Sequence, residues 1–142
     1  MLSKITKVVL AIGVVALTAC TGTYWTQGNP TWAVLTGGDE VPPVRTSASG
    51  NGRFMIETDG AISGHIVVNG MDTTAAHIHM GGPIENGPVI ITLNKGMGGE
   101  FTVPMGAKLT ADQMVAFKAG RLYVNAHSAA NKGGEVRGEM RW

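Results

Sequence analysis

The sequence predicts a mainly β fold, a single β-sandwich or Greek-key barrel with one short helix. Three observations carry that expectation. Beyond Pro30 the apolar residues alternate with polar ones in short runs, the period of strands with one buried face. Those runs are separated by Asn, Asp, Pro and many of the chain's 21 glycines, residues that suit tight turns. Only one segment carries the start and stop signals of a helix.

Taken in order, the expected strands are Thr31–Thr36, Gly52–Thr58, Ala61–Asn69, Ala75–Met80, Val89–Leu93, Glu100–Val103, Arg121–His127 and Glu135–Trp142. Thr58-Asp59-Gly60-Ala61 joins the second and third as a hairpin, because Asp-Gly readily adopts the tight turn required there. Glu40-Val41-Pro42-Pro43 is rigid and extended and ends an edge strand without needing amide donors. Asn86-Gly87-Pro88 and Asn94–Gly99 are turns by composition. The helix begins at Thr110, whose hydroxyl can cap it with Gln113 completing a capping box, and stops at Gly120; Met114 and Phe117 then face the core.

The first 19 residues are expected to be an export signal: basic Lys4 and Lys7, an apolar run from Val8 to Leu17, then Leu17-Thr18-Ala19-Cys20. The apolar run is far shorter than the roughly 20 residues of a membrane-spanning helix. Leu17–Cys20 resembles the lipobox of bacterial lipoproteins, which implies that Cys20 becomes the mature N-terminus and carries acyl chains such as palmitate. Cys20 is the only cysteine, so it has no intramolecular disulfide partner, and lipidation accounts for its isolation. Residues 20–30 then form a lipidated tether, in which Tyr24 and Trp25 rest at the membrane interface or on their own domain. Residues 31–142 form one domain. Without Lys4 and Lys7, the 11 basic residues fall to nine against ten acidic, a balance that speaks against nucleic-acid binding.

Three segments are similar to the CHRD (chordin-type) domain family. They are Leu35-Thr36-Gly37-Gly38-Asp39-Glu40-Val41-Pro42-Pro43-Val44, Ala75-Ala76-His77-Ile78-His79 with its following loop, and Leu122-Tyr123-Val124-Asn125-Ala126-His127 through Gly138. The resemblance implies an immunoglobulin-like or superoxide-dismutase-like sandwich. It implies no single biochemical activity.

The histidines supply the candidate chemistry. His77 and His79 are two apart on a strand and project from one face, opposite Ala76, Ile78 and Met80. On Arg121–His127 the core residues are Leu122, Val124 and Ala126, which leaves Tyr123, Asn125 and His127 on the other face. His65 likewise lies opposite Ile62, Ile66 and Val68. Imidazoles are good ligands for copper and zinc, so His77, His79 and His127 are the expected metal ligands, with His65 as a fourth and Met80 as a weaker donor. The pattern also resembles the copper half of copper/zinc superoxide dismutase, although no disulfide and no companion zinc cluster is present. If no metal binds, these imidazoles instead hydrogen-bond to loop carbonyls.

Glu40, Asn125 and Arg137 are expected to support the ligands. For Glu40 this means a hydrogen bond to a metal-bound imidazole. The charged face Glu135, Arg137, Glu139 and Arg141 is expected to form cross-strand ion pairs, with Arg137 alternatively steering an anion toward the metal. No nucleotide loop, serine elbow, usable cysteine nucleophile or glycosidase carboxylate pair is visible, so no catalytic residue is assigned. The expected protein is a lipid-anchored component of the bacterial cell envelope that binds copper, or zinc. The alternatives are a module that binds an envelope protein or polysaccharide, and a copper enzyme acting on superoxide.

Overall fold

The computed structural model describes residues 28–142. The export signal, Cys20, Tyr24 and Trp25 lie outside the described residues. The chain builds β1 (Asn29–Thr36), β2 (Ser49–Ile56), β3 (Ile62–Asn69), β4 (Thr73–Met80), β5 (Val89–Thr92), β6 (Asn94–Lys95), β7 (Glu100–Thr102), α1 (Ala111–Lys118), β8 (Leu122–Ser128) and β9 (Val136–Glu139). β1 begins at Asn29, so Pro30 belongs to the first strand and not to the tether.

All nine strands share one sheet, in the order β5-β4-β8-β9-β1-β2-β3-β7-β6, with antiparallel pairing throughout. Its two outermost strands, β5 and β6, are separated in the chain by Leu93 alone. Leu93 donates to the Ala76 carbonyl at 3.0 Å, and Lys95 pairs with Phe101 on β7. One bent segment thus bridges both edges and nearly closes the sheet around a single core, removing the open edge that a flat sheet would expose. Asn94 and Lys95, expected in a turn, are part of this bridge.

Alternation sorts the side chains as the sequence pattern requires. Ala33 and Leu35 of β1, Phe54 and Ile56 of β2, Ile62, Ile66 and Val68 of β3, and Leu122, Val124 and Ala126 of β8 fill the core. Asp59-Gly60 turns β2 into β3: Gly60 takes a φ of +91°, and Ala61 donates to Asp59 Oδ1 at 2.9 Å. α1 closes one region of the core. Thr110 Oγ1 accepts from the Gln113 amide at 3.3 Å, Gln113 Oε1 accepts from the Thr110 amide at 2.9 Å, and Phe117 is buried beneath. No helix among the described residues is long and apolar enough to cross a membrane.

Candidate metal centre

β4 and β8 are neighbours, with His79 opposite Tyr123, His77 opposite Asn125 and Ala75 opposite His127. That register brings His77, His79 and His127 together on the face away from the core. One ligating nitrogen from each lies within 4.8 Å of the others. His77 Nδ1 is 2.9 Å from His127 Nε2. A four-coordinate ion with bonds of about 2.0–2.1 Å places its ligand nitrogens roughly 3–4 Å apart, so small ring movements suffice. A register shift at Ile78/His79, where β5 pairs with β4, lies beside the cluster, as bulges often do near sites.

The other nitrogens of two rings are fixed by backbone. His79 Nδ1–H donates to the Gly87 carbonyl at 2.9 Å, and His127 Nδ1–H donates to the Lys132 carbonyl at 3.0 Å. Each bond selects the tautomer whose Nε2 carries a lone pair, which is how protein second partners orient ligating histidines. His79 Nε2 is buried and has no hydrogen-bond partner. With His127 Nδ1 already protonated, the short contact between His127 and His77 holds one shared proton, the one a cation would replace. A cluster of three imidazoles in which one buried ring nitrogen is left without a partner is an arrangement that fits a metal ion.

Two loops supply those carbonyls, and each is pinned by named groups. The 81–88 loop returns across the end of β4 so closely that a Cβ on Gly87 would stand 1.8 Å from the Met80 carbonyl oxygen, which only glycine avoids. The Gly87 amide donates to Tyr123 Oη at 3.1 Å. Arg137 donates to the carbonyls of Gly82 at 2.8 Å and Glu85 at 3.0 Å, and pairs with Glu139 at 2.8 Å. Its guanidinium carbon lies 3.4 Å from the centre of the Tyr123 ring, while His79 stacks on Tyr123 at 4.8 Å with the planes 6° apart. The 129–134 loop is gathered by Glu135. Its carboxylate accepts from Ser128 Oγ, from Thr46 Oγ1 at 2.6 Å and from Asn131 Nδ2 at 3.1 Å, and these bonds hold it below the usual carboxylate range.

Electrostatics keep the three rings neutral. Burial is the leading cause that lowers His77, His79 and His127 below the ordinary imidazole value, and mutual repulsion adds to it for His77 and His127. Metal ligation requires that neutral form. A sign follows for the metal-free protein: below about pH 6.5 the unfolded chain binds protons that the folded rings resist, so stability falls as pH drops from that value toward the lowered ones. Denaturation midpoints taken from pH 8 to pH 5 are expected to fall, and replacing the three histidines by glutamine should flatten that slope.

The structure corrects several expectations about the site. His65 sits on β3 between Arg53 and Thr102, and is not in the cluster. Met80 packs against the hydrophobic core. Arg137 is 0% exposed and committed to Glu139, two carbonyls and Tyr123, so it is not placed to steer an anion. The exposed ion-pair face expected on the last strand is, at Arg137 and Glu139, a buried pair. His79 and His127, each 8% exposed, avoid the core but are covered by loops. Glu40 is buried beside Asn125 at Gly134, its Oε1 has no hydrogen-bond partner and it is not bonded to an imidazole, and burial raises its carboxyl above the usual range. Asn125 stands opposite His77 on the neighbouring strand, and its side-chain amide donates to the Gly133 carbonyl at 3.4 Å.

Gly134 makes room for the Glu40–Asn125 contact. Its φ is +133°, and a Cβ there would stand 2.2 Å from Glu40 Oε1 and 2.6 Å from Asn125 Nδ2. Gly134→Ala is therefore expected to destabilise the fold by about 1–3 kcal/mol, measured by chemical denaturation. Sequence reasoning missed Tyr123, Gly87 and Glu135 as builders of the site. Tyr123 alone carried a signal, its place beside Asn125 and His127 on the histidine face.

Fold and site together define a small, nearly closed β-sandwich with a three-histidine cluster on the outer face of two adjacent strands. The family model for the CHRD domain matches residues 32–140, and the chain belongs to that family. No curated protein and no solved structure matches it.

Proposed function

We propose that this protein is a lipid-anchored envelope lipoprotein whose CHRD domain binds copper, and zinc more weakly, through His77, His79 and His127. The observation that carries the metal reading is the fixing of His79 and His127 through their Nδ1–H groups by loop carbonyls, which leaves a lone pair on each Nε2, that of His127 2.9 Å from His77 Nδ1. The preference for copper rests on donor chemistry. The set is all imidazole, with no thiolate or carboxylate in the cluster, and such sites favour Cu(II) over Zn(II) in the usual order of affinities. The half-buried His77 leaves one side of the cluster reachable, which suits uptake and release of a metal more than permanent structural use. The anchor rests on Leu17–Cys20 and on the isolation of Cys20.

Titration of the protein with Cu(II) and Zn(II) tests the metal reading. One equivalent of copper is expected to bind more tightly than zinc. Unchanged affinity after replacing His77, His79 and His127 together by alanine removes it. The anchor is tested separately by cell fractionation: Cys20→Ser is expected to move the protein from the membrane to the soluble fraction, and retention in the membrane contradicts it.

A further inference from the structure

The outer face of β1 and β2 carries a patch that the metal site does not use. Trp32 is 50% exposed, Val34 65% and Met55 38%. Trp32 stands between two arginines, opposite Arg53 on β2 and opposite Arg141 on its other side. Both arginines are exposed, and neither is in a salt bridge among the described residues. Pro30 is opposite Met55, so the patch continues toward the start of β1. Asp39 and Glu139 line one pocket with Trp32, Val34 and Arg141, and Glu139 is already committed to Arg137, while Glu57 stands near Met55 at the start of β1.

An indole between two exposed guanidiniums, with thioether and aliphatic carbon beside it, is chemistry suited to a bilayer interface bearing anionic headgroups. Tryptophan is favoured at that depth, and basic residues near such a surface are drawn to its anionic headgroups. The chain's own layout selects this occupant. Cys20 precedes Asn29 by nine residues, a span of about 15–18 Å as a coil and about 30 Å at full extension. A lipid on Cys20 therefore keeps the start of β1, and Trp32 three residues further on, within reach of the membrane surface.

We propose that this face, centred on Trp32 between Arg53 and Arg141, lies against an anionic membrane surface and sets the orientation of the domain. The proposal rests on the lipid-anchor reading for its geometry, and its consequence concerns the metal site. β8 and β4 lie beyond β9 from β1 in the strand order, so a domain resting on β1 and β2 rests on strands other than those that carry the histidines.

The test uses the lipidated protein carrying Trp25→Phe and Trp142→Phe, so that Trp32 is the sole tryptophan, in phosphatidylglycerol vesicles containing brominated lipid. Trp32 emission is expected to shift to the blue and to be quenched at least twofold, and Arg53→Glu with Arg141→Glu should remove most of that quenching. Unshifted emission, with acrylamide access equal to that of the unlipidated protein in solution, overturns the proposal. Flotation of the protein with vesicles, and the mass of its N-terminus, report the anchor independently. If no lipid is attached, the same protein is mixed with anionic vesicles in solution: salt-sensitive binding lost in Trp32→Ser supports the proposal, and no binding overturns it. A soluble dimer that Trp32→Ser dissociates also overturns it, by assigning the face to a second copy of the chain.

Discussion

Arg137→Leu is expected to lower stability by about 3–5 kcal/mol, because it removes one partner of a buried ion pair and leaves the other uncompensated. Glu139 is already raised above the usual carboxylate range, with burial outweighing the attraction of Arg137. Without the guanidinium, its carboxylate must take up a proton or be exposed, and the carbonyls of Gly82 and Glu85 lose their donors. Global stabilities are typically about 5–15 kcal/mol, so this single change approaches the whole margin. The pH dependence has a definite sign. A carboxyl raised in the folded state favours folding below its unfolded value and loses that advantage as pH rises through its folded one. The gap in stability between Arg137→Leu and the unaltered protein should therefore narrow as pH falls from 7 toward 5. Paired urea titrations at those two pH values measure it, and an equal gap would show that the loss does not arise at Glu139.

The second large effect is on metal affinity. His79→Ala removes one of the two buried ligands of the proposed site and is expected to weaken copper binding by more than 100-fold, beyond the 10- to 100-fold typical of changes to supporting partners. His65→Ala, on β3 and outside the cluster, is expected to leave affinity unchanged. Competition titrations against a chelator of known affinity compare the two. Equal losses from both would mean that binding is unspecific imidazole chelation and not the cluster. Tyr123→Leu should fall between them, since it removes the ring that stacks on His79 and the hydroxyl that holds the Gly87 amide, but no ligand.

The strands and the helix were legible because one-sided burial writes a period into the sequence. Ile62, Ile66 and Val68 alternate with the outward-facing Ser63, His65 and Val67, and Thr110 with Gln113 marks a helix start by the chemistry of orphaned amides. The cluster was legible for the same reason. His77, His79 and His127 occupy non-core positions of two strands, and that pattern reports which face they share once the strands are neighbours. His65 satisfies the same rule on β3, yet it lies in another part of the sheet, because alternation gives a residue's face and not its strand's neighbour.

Arg137 was misread for a related reason. A charged residue alternating with apolar ones reads as solvent-facing, but here the 81–88 loop covers that face and the arginine is consumed in holding the loop. The bridge at Leu93 depends on its bond to Ala76 of β4, and the close pass of Gly87 over Met80 is held by Tyr123 and Arg137 from distant strands. Nothing in their local sequence distinguishes them from ordinary turns.

The most direct measurement is X-ray absorption on the copper-loaded protein, set beside the same measurement on the variant with His77, His79 and His127 all replaced by alanine. Three imidazole nitrogens at about 2.0 Å in the unaltered protein, and loss of the imidazole scattering in the variant, are the predicted results. Imidazole scattering that survives unchanged in the variant would place the copper elsewhere and contradict the assignment of this cluster as a metal site.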